Sequence, residues 1–83
     1  MITIYTKSTP CAYCDAAKML LDEHGLDYRE IIADRDDDTK KLFRERVPAE
    51  IKTVPQIFLN EERIGGYNEL RKRIFEVVGV ENL

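Results

Sequence analysis

The amino-acid sequence predicts an α/β fold in which a mixed four-stranded sheet is flanked by three helices. Apolar residues alternate over short segments rich in β-branched and aromatic residues, which is typical of strands. They recur at spacings of three and four over longer segments, which is typical of amphipathic helices. The 83 residues suffice for one small domain and are too few for two. We therefore expect residues 1–83 to form a single domain.

The first half of the chain predicts a strand, a helix and a second strand. Residues 2–6 alternate in the manner of a buried strand, and a loop then leads to Pro10. The pattern is helical over residues 11–24, and Gly25 is a natural residue to end that helix. Residues 27–32 predict the second strand, which should lie parallel to the first through a right-handed crossover.

The second half predicts a helix, two strands and a last helix. The acidic residues 34–38 predict a solvated loop that brings negative charge to the start of a helix over residues 39–46. A third strand should begin at or just after Pro55, because proline cannot lie inside a central strand. A short turn joins it to a fourth strand at residues 63–64, so these two strands should be antiparallel.

The last helix is predicted over residues 67–78, with Gly79 ending it. Its inner face is expected to consist of Leu70, Ile74, Val77 and Val78. We expect the three phenylalanines, Phe43, Phe58 and Phe75, to lie in the core. His24 is expected to be a surface residue at the end of the first helix.

Composition and charge exclude several classes of protein. The net charge is −3, from 13 Lys and Arg against 16 Asp and Glu, whereas a small nucleic-acid binder is usually basic. No apolar run approaches the roughly 20 residues that span a bilayer. The N-terminal segment has neither the charged region nor the apolar core of a signal peptide. We therefore expect a cytoplasmic protein that binds neither nucleic acid nor membrane.

The two cysteines, Cys11 and Cys14, form a C-x-x-C motif. A bridge between them would close a very small loop and constrain the unfolded chain little, so stability is not its main role. The pair is either redox-active or half of a metal site. A zinc site needs at least three protein ligands, and the only other soft ligand is His24, at the far end of the same helix. We expect no metal in the monomer, while a metal that bridges two chains stays open.

The position of the motif predicts unequal roles for the two thiols. Unpaired N–H groups and the macrodipole at the helix start should stabilise a thiolate at Cys11, and Lys7 should add positive potential. Cys14 lies one turn deeper on the same helix face, close enough to form a disulfide with Cys11. The negative charge of Asp15 disfavours a second anion nearby, so it partly opposes thiolate formation at Cys11. Cys11 would then attack a substrate disulfide, and Cys14 would resolve the mixed disulfide.

Three segments together resemble a known family. Residues 5–14 hold Tyr-Thr-Lys and the C-x-x-C motif, residues 53–58 read Thr-Val-Pro-Gln-Ile-Phe, and residues 64–70 read Ile-Gly-Gly-Tyr-Asn-Glu-Leu. In this order and spacing they resemble the short dithiol glutaredoxins over nearly the whole chain. The resemblance implies a thioredoxin-like fold. It also implies a glutathione-dependent oxidoreductase that reduces protein disulfides and glutathione mixed disulfides.

The resemblance also implies roles for individual residues. Cys11 would be the nucleophile that takes up glutathione, Cys14 the resolving thiol, and Val54–Pro55 a cis peptide. The implied glutathione site consists of Lys7, Tyr13, Lys52, Thr53, Val54, Pro55, Gly66, Tyr67 and Asn68. Within it, the Val54 backbone would pair with the glutathione cysteine, and the start of the last helix would hold the γ-glutamyl carboxylate. The two lysines would face the glycyl carboxylate, and Tyr13 would flank the sulfurs.

Three positions depart from the family pattern. Ala12 stands where proline is commonest, which leaves the redox potential open. Pro10 directly precedes Cys11 in a loop one residue longer than usual. Asn68 replaces an aspartate that contacts the glutathione ammonium group, so we expect weaker glutathione binding.

Several alternatives stay open. Thioredoxin reductase could be the reductant instead of glutathione, and the chain could instead be a non-enzymatic metal or cluster carrier or a pure binding module. The expected partners are glutathione and disulfide-containing proteins, and the chain itself is expected to be a monomer. Ribonucleotide reductase is a common client of such proteins, and nothing in the sequence selects it.

Overall fold

Strands and helices follow one another in the predicted order, with one helix more than expected. The computed structural model describes residues 1–83. The elements are β1 (Ile2–Thr6), α1 (Ala12–Glu23), β2 (Tyr28–Ile32), α2 (Asp37–Arg46), β3 (Gln56–Leu59), β4 (Glu62–Gly65), α3 (Tyr67–Lys72) and α4 (Ile74–Glu81). None of the four helices combines the length and the apolar character needed to cross a bilayer.

The four strands form one mixed sheet in the order β2-β1-β3-β4. β1 pairs in parallel with β2 and antiparallel with β3, and β3 pairs antiparallel with β4, so the predicted sheet is confirmed. In this register Tyr5 is the partner of Gln56. The loop that follows β1 therefore emerges beside the segment that precedes β3. The C-x-x-C motif and Val54–Pro55 are brought together in this way although they are distant in sequence.

Helices pack on both faces of the sheet. Ile2 and Ile4 of β1 belong to a cluster of 11 buried apolar residues shared with α1, α3 and α4. Tyr5 points the other way, into a cluster with Ile31, Val47 and Phe58 that is covered by α2. The alternation of side chains along one buried strand thus supplies both halves of the core.

Helix α2 begins earlier than the sequence predicts. Asp36 is its N-cap: the Asp36 carboxylate accepts from the Thr39 N–H at 2.9 Å, and the Thr39 hydroxyl accepts from the Asp36 N–H at 3.1 Å. This reciprocal pair satisfies two donors at the helix start. The acidic segment is therefore not only a solvated loop, since its middle residue fixes the start of α2.

The predicted last helix is wrong as a single element, because it divides at Arg73. The Arg73 N–H is shared between the carbonyls of Glu69 and Leu70, which closes α3, and α4 starts at the next residue. The Arg73 guanidinium is held by Glu62 of β4 and by Glu76, at 3.1 and 2.9 Å.

Two further expectations about this region are wrong. Gly79 does not end a helix, because it lies within α4. Phe75 is 79% exposed instead of being in the core, and its ring meets that of His24 edge-on at 5.8 Å. The turn after Arg73 directs Ile74 and Val77 inward, which leaves the intervening position on the surface. Phe58 is buried and Phe43 half-buried, as expected.

Candidate active site

The two cysteines form a disulfide at the start of α1, with their Cα atoms 5.2 Å apart. Cys11 is the N-cap residue in an extended conformation, and its Sγ accepts from the Cys14 N–H at 3.2 Å. Cys14 is only 2% exposed, whereas Cys11 is half-buried. The predicted order of exposure is observed, and the outer sulfur lies where the helix presents unpaired N–H groups.

The segment before β3 faces the outer sulfur. The Val54–Pro55 peptide bond is cis, as the resemblance implies. The Val54 carbonyl oxygen lies 3.9 Å from Cys11 Sγ, and the backbone of this segment borders the disulfide.

Gln56 holds this segment in place, a role that was not predicted from the sequence. Its side chain is 3% exposed; Nε2 donates to the Thr53 carbonyl at 3.2 Å, and Oε1 accepts from Arg63 Nη1 of β4 at 3.1 Å. A buried amide with both ends hydrogen-bonded positions the backbone that it contacts. The sequence feature that could have indicated this role is a polar residue at the start of a strand that is otherwise entirely apolar.

On the other side of the disulfide, Tyr13 of α1 lies against Tyr67 of α3, with ring centroids 6.2 Å apart. Tyr13 is 63% exposed, so the pair forms an aromatic surface beside the sulfurs. Gly66 precedes Tyr67, and a Cβ at this glycine would lie 3.5 Å from the Pro55 carbonyl oxygen. The start of α3 is therefore packed close to the cis-proline segment.

Glu69 occupies part of the start of α3. Its Oε1 accepts from the Gly66 N–H at 2.8 Å. Asn68, one residue earlier, is exposed. The segment predicted to hold an anion thus already carries one carboxylate, a contact that was not predicted from the sequence.

Lys7 and Lys52 lie on the wall of a groove of about 640 Å³, together with Val54. Two more cations, Lys40 and Arg44, reach the same groove from α2. The sequence placed these two residues only on a helix, and their convergence with the active-site loop depends on the tertiary structure.

The loop before Cys11 is anchored by Asp34. The Ser8 N–H and hydroxyl donate to the two oxygens of this carboxylate at 2.8 and 2.9 Å. These two bonds hold the pKa of Asp34 below its ordinary value of 3.8. An acid that the sequence placed in a solvated loop therefore fixes the loop that leads to Cys11.

A second polar network ties α1 to the sheet below the disulfide. Lys18 Nζ lies 3.3 Å from Glu30 Oε2 and 3.8 Å from an oxygen of Asp15. The Thr6 hydroxyl, at the end of β1, donates to the same Glu30 oxygen at 2.7 Å. This network links the helix that carries both cysteines to the two parallel strands.

Nowhere do three or more His, Cys, Asp or Glu side chains converge in a way that could hold a metal ion. His24 lies at the C-cap of α1, so it does not join the cysteines.

A C-x-x-C disulfide at a helix start, on a mixed sheet and beside a cis-proline, defines a dithiol protein of the thioredoxin-like fold. The glutaredoxin family model matches residues 2–64. A glutaredoxin 3 of Escherichia coli is 38% identical over 69 residues, which cover 83% of this chain and 80% of that protein. The chain belongs to the glutaredoxin family, whose members are thiol–disulfide oxidoreductases.

Other relatives are longer than the part they share with this chain. A probable glutaredoxin of Synechocystis is 39% identical over 69 residues, which cover 83% of this chain and 62% of that protein. A hybrid peroxiredoxin of Haemophilus influenzae is 38% identical over 71 residues, which cover 86% of this chain and only 28% of the relative. The chain thus spans less than two thirds of either relative.

Solved structures confirm the thioredoxin-like fold. Glutaredoxin 1 of Francisella tularensis, in a complex with cacodylate, superposes with a TM-score of 0.75 at 32% identity, over 94% of this chain and 95% of that one. A buckwheat glutaredoxin–glutathione complex superposes with a TM-score of 0.73 at 25% identity, over 96% of this chain and 73% of that one.

Proposed function

We propose that this chain is a glutathione-dependent thiol–disulfide oxidoreductase that reduces protein disulfides and glutathione mixed disulfides. The observation that carries the proposal is the unequal exposure of the two sulfur-bearing residues: Cys11 is the N-cap of α1, and Cys14 is buried one turn further along the helix. One sulfur can meet a substrate while the other is reachable only from within the same molecule.

The exchange balances in two steps. The Cys11 thiolate attacks one sulfur of the substrate disulfide, a new S–S bond forms, and the second substrate sulfur leaves as a thiolate that takes up a proton. Cys14, as a thiolate, then attacks Cys11 Sγ, which releases the first substrate sulfur and forms the Cys11–Cys14 disulfide present in this structure. Two electrons pass to the substrate, and two glutathione thiols restore the dithiol and leave as glutathione disulfide.

The surroundings of Cys11 favour its role as the nucleophile. Its Sγ accepts the Cys14 N–H at 3.2 Å, which stabilises a thiolate more than a thiol. The start of the 12-residue α1 adds the positive end of the macrodipole. Asp34 supports this indirectly, because it fixes the loop before Cys11 through Ser8.

The proposed glutathione site runs from one side of the disulfide to the other. Its members are Lys7, Tyr13, Lys52, Thr53, Val54, Pro55, Gly66, Tyr67 and Asn68. The Val54 backbone, beside Cys11 Sγ, is available to pair with the cysteine of the tripeptide. Lys7 and Lys52 supply positive charge on the groove side for the glycyl carboxylate. The buckwheat glutaredoxin that superposes on this chain is a complex with glutathione, which supports the assignment.

The γ-glutamyl end is the weaker part of this site. Helix geometry leaves the N–H groups of Tyr67 and Asn68 without carbonyl partners in α3, but Glu69 already takes the Gly66 N–H. Asn68 offers a neutral acceptor to the ammonium group where a carboxylate would add charge. We therefore expect glutathione to bind less tightly than it would with aspartate at position 68.

Replacement of the inner cysteine tests the division of roles. Cys14→Ser should retain reduction of glutathione mixed disulfides, because that reaction needs only Cys11, and should lose reduction of intramolecular protein disulfides. Both activities are measured on the same preparation, with Cys11→Ser as the control that loses both. Loss of both activities in a folded Cys14→Ser variant would contradict the proposal.

Asn68 gives a specific reason to test thioredoxin reductase as an alternative reductant, since it weakens the case for glutathione. The oxidised protein is mixed with glutathione, or with NADPH and thioredoxin reductase, and the appearance of free thiols is followed. Faster reduction by glutathione supports the proposal; reduction by the reductase alone would replace it.

A further inference from the structure

A groove of about 640 Å³ lies between the segment that precedes β3 and helix α2. Val54 lines it, and the Val54 carbonyl oxygen is 3.9 Å from Cys11 Sγ. The end of the groove nearest the disulfide holds Lys7 and Lys52, already assigned to glutathione. We call the remainder, lined by Lys40, Phe43, Arg44 and Val47, the α2 end of the groove.

The groove is strongly positive on a chain whose net charge is −3. Four cations line it: Lys7, Lys40, Arg44 and Lys52. None of them forms an ion pair, whereas five of the other nine basic residues do. Asp34 is the one carboxylate on the wall, and both of its oxygens accept hydrogen bonds from Ser8. The groove therefore attracts an acidic group while the rest of the surface repels it.

The α2 end of the groove is also apolar. Phe43 and Val47 line it, and Pro48 and Ile51 continue the apolar surface. Glutathione is built from glutamate, cysteine and glycine, so it has no apolar side chain to cover such a surface. A larger ligand is needed to bury these side chains and also to meet Lys40 and Arg44.

We propose that the α2 end of the groove binds the segment of a client protein beside its reacting cysteine, and selects segments with one apolar and one acidic residue. The apolar side chain would cover Phe43 and Val47, and the carboxylate would meet Lys40 and Arg44. This inference rests on the proposed function and names its class of protein substrate. The groove starts at Val54, so a segment paired with that backbone continues directly into it.

Synthetic peptides test the selection without changing the protein. In each peptide, one cysteine forms a mixed disulfide with 2-mercaptoethanol. The residue pair beside that cysteine is Leu-Asp, Leu-Lys, Ser-Asp or Ser-Lys. The second-order rate of reaction with the reduced protein is measured for each, and hydroxyethyl disulfide serves as the substrate without flanking residues. We expect the Leu-Asp peptide to react about tenfold faster than the Ser-Lys peptide, with the other two between them.

Two adjacent lysines of α2 provide a matched pair of variants. Lys40 lines the groove, whereas Lys41 does not and lies 3.9 Å from Glu45. Lys40→Gln should lower the rate of reaction with the Leu-Asp peptide about threefold and leave the rate with hydroxyethyl disulfide unchanged. Lys41→Gln should change neither rate. Adding Arg44→Gln to Lys40→Gln should remove the preference for Asp over Lys.

The outcomes separate this inference from the proposed function. Equal rates for all four peptides, with hydroxyethyl disulfide still reduced, would overturn the inference and leave the proposed function standing. The same holds if Lys40→Gln and Lys41→Gln have equal effects, because the groove would then contribute no more than the general field of the protein. Failure to react with any disulfide would instead refute the proposed function.

Discussion

Replacing Tyr5 by phenylalanine removes a buried hydroxyl that lacks a partner. Tyr5 is fully buried in β1, and its hydroxyl oxygen has no hydrogen bond. The ring meets Phe43 and Phe58 edge-on, with centroids 5.6 and 5.7 Å away. Tyr5→Phe keeps both aromatic contacts and removes only the oxygen, so it isolates the effect of the unpaired group.

The expected change at neutral pH is a gain in stability. An unsatisfied buried polar group costs about 1–3 kcal/mol, and the small space left by the oxygen offsets part of that gain. We expect the free energy of unfolding to rise by about 1 kcal/mol. For a domain of this size, this corresponds to an increase in Tm of about 4–8 °C.

The difference should widen in alkali. Burial raises the pKa of Tyr5 above its ordinary value of 10.0, because the charged phenolate is disfavoured inside the protein. A raised pKa in the folded state contributes stability that is fully present below pH 10 and is lost as the pH rises through the folded value. The unaltered chain should therefore lose stability above pH 10, and Tyr5→Phe should lose less.

Urea unfolding followed by far-UV circular dichroism measures both effects, on the oxidised protein at neutral pH and at several values above pH 10. Tyr13→Phe is the matched control: its hydroxyl belongs to a side chain that is 63% exposed, so no gain is expected. If Tyr5→Phe is no more stable than the unaltered chain at neutral pH, the reasoning from the unpaired hydroxyl is refuted.

Two further predictions concern the active site. Asn68→Asp should lower the KM for glutathione by up to about fivefold, the effect of one exposed ion pair, measured by steady-state kinetics. Asp34→Ala should slow alkylation of the reduced Cys11 thiol several-fold by freeing Ser8 and its loop, whereas Asp34→Asn, which keeps an acceptor, should retain most of the rate. Because Ser8 lowers the pKa of Asp34, the stability from this contact is present above 3.8 and lost as the pH falls through the lower folded value.

Each of these has its own control. Asn82→Asp makes the same chemical change at the C-cap of α4, away from the site, and an equal fall in KM there would contradict the role of position 68. Asp27→Ala removes an exposed carboxylate that makes no contact with Ser8. Similar alkylation rates for Asp27→Ala and Asp34→Ala would show that the Ser8 contact does not position Cys11.

Much of the fold follows from local patterns. Residues 2–6 are β1 as predicted, because alternating apolar residues fit a strand whose two faces are both covered. The end of α1 at His24 and Gly25 follows from the left-handed φ of +66° that glycine adopts easily. These features depend on neighbours in sequence, which is why the sequence predicts them.

Features that depend on distant partners were missed. The division of the last helix at Arg73 is accompanied by an ion pair to Glu62 on β4, which no helical periodicity reveals. The exposure of Phe75 was missed because its residue type suggests the core, whereas its position after Arg73 turns it outward. Gln56 and Asp34 matter through Thr53 and Ser8, partners that only the folded chain brings close.

The sequence by itself determined the chemistry of this protein: two thiols one helical turn apart, with the outer one at the helix start. That follows from spacing and from the backbone at a helix terminus, both of which are local. Only the tertiary structure decided what surrounds the thiols. The pairing of β1 with β3 and the packing of α2 form the groove and bring its four cations together, and the fold places Asp34 where it accepts hydrogen bonds from Ser8. If these surroundings select the substrate, as we propose, substrate choice is determined by contacts between segments that lie far apart in the chain.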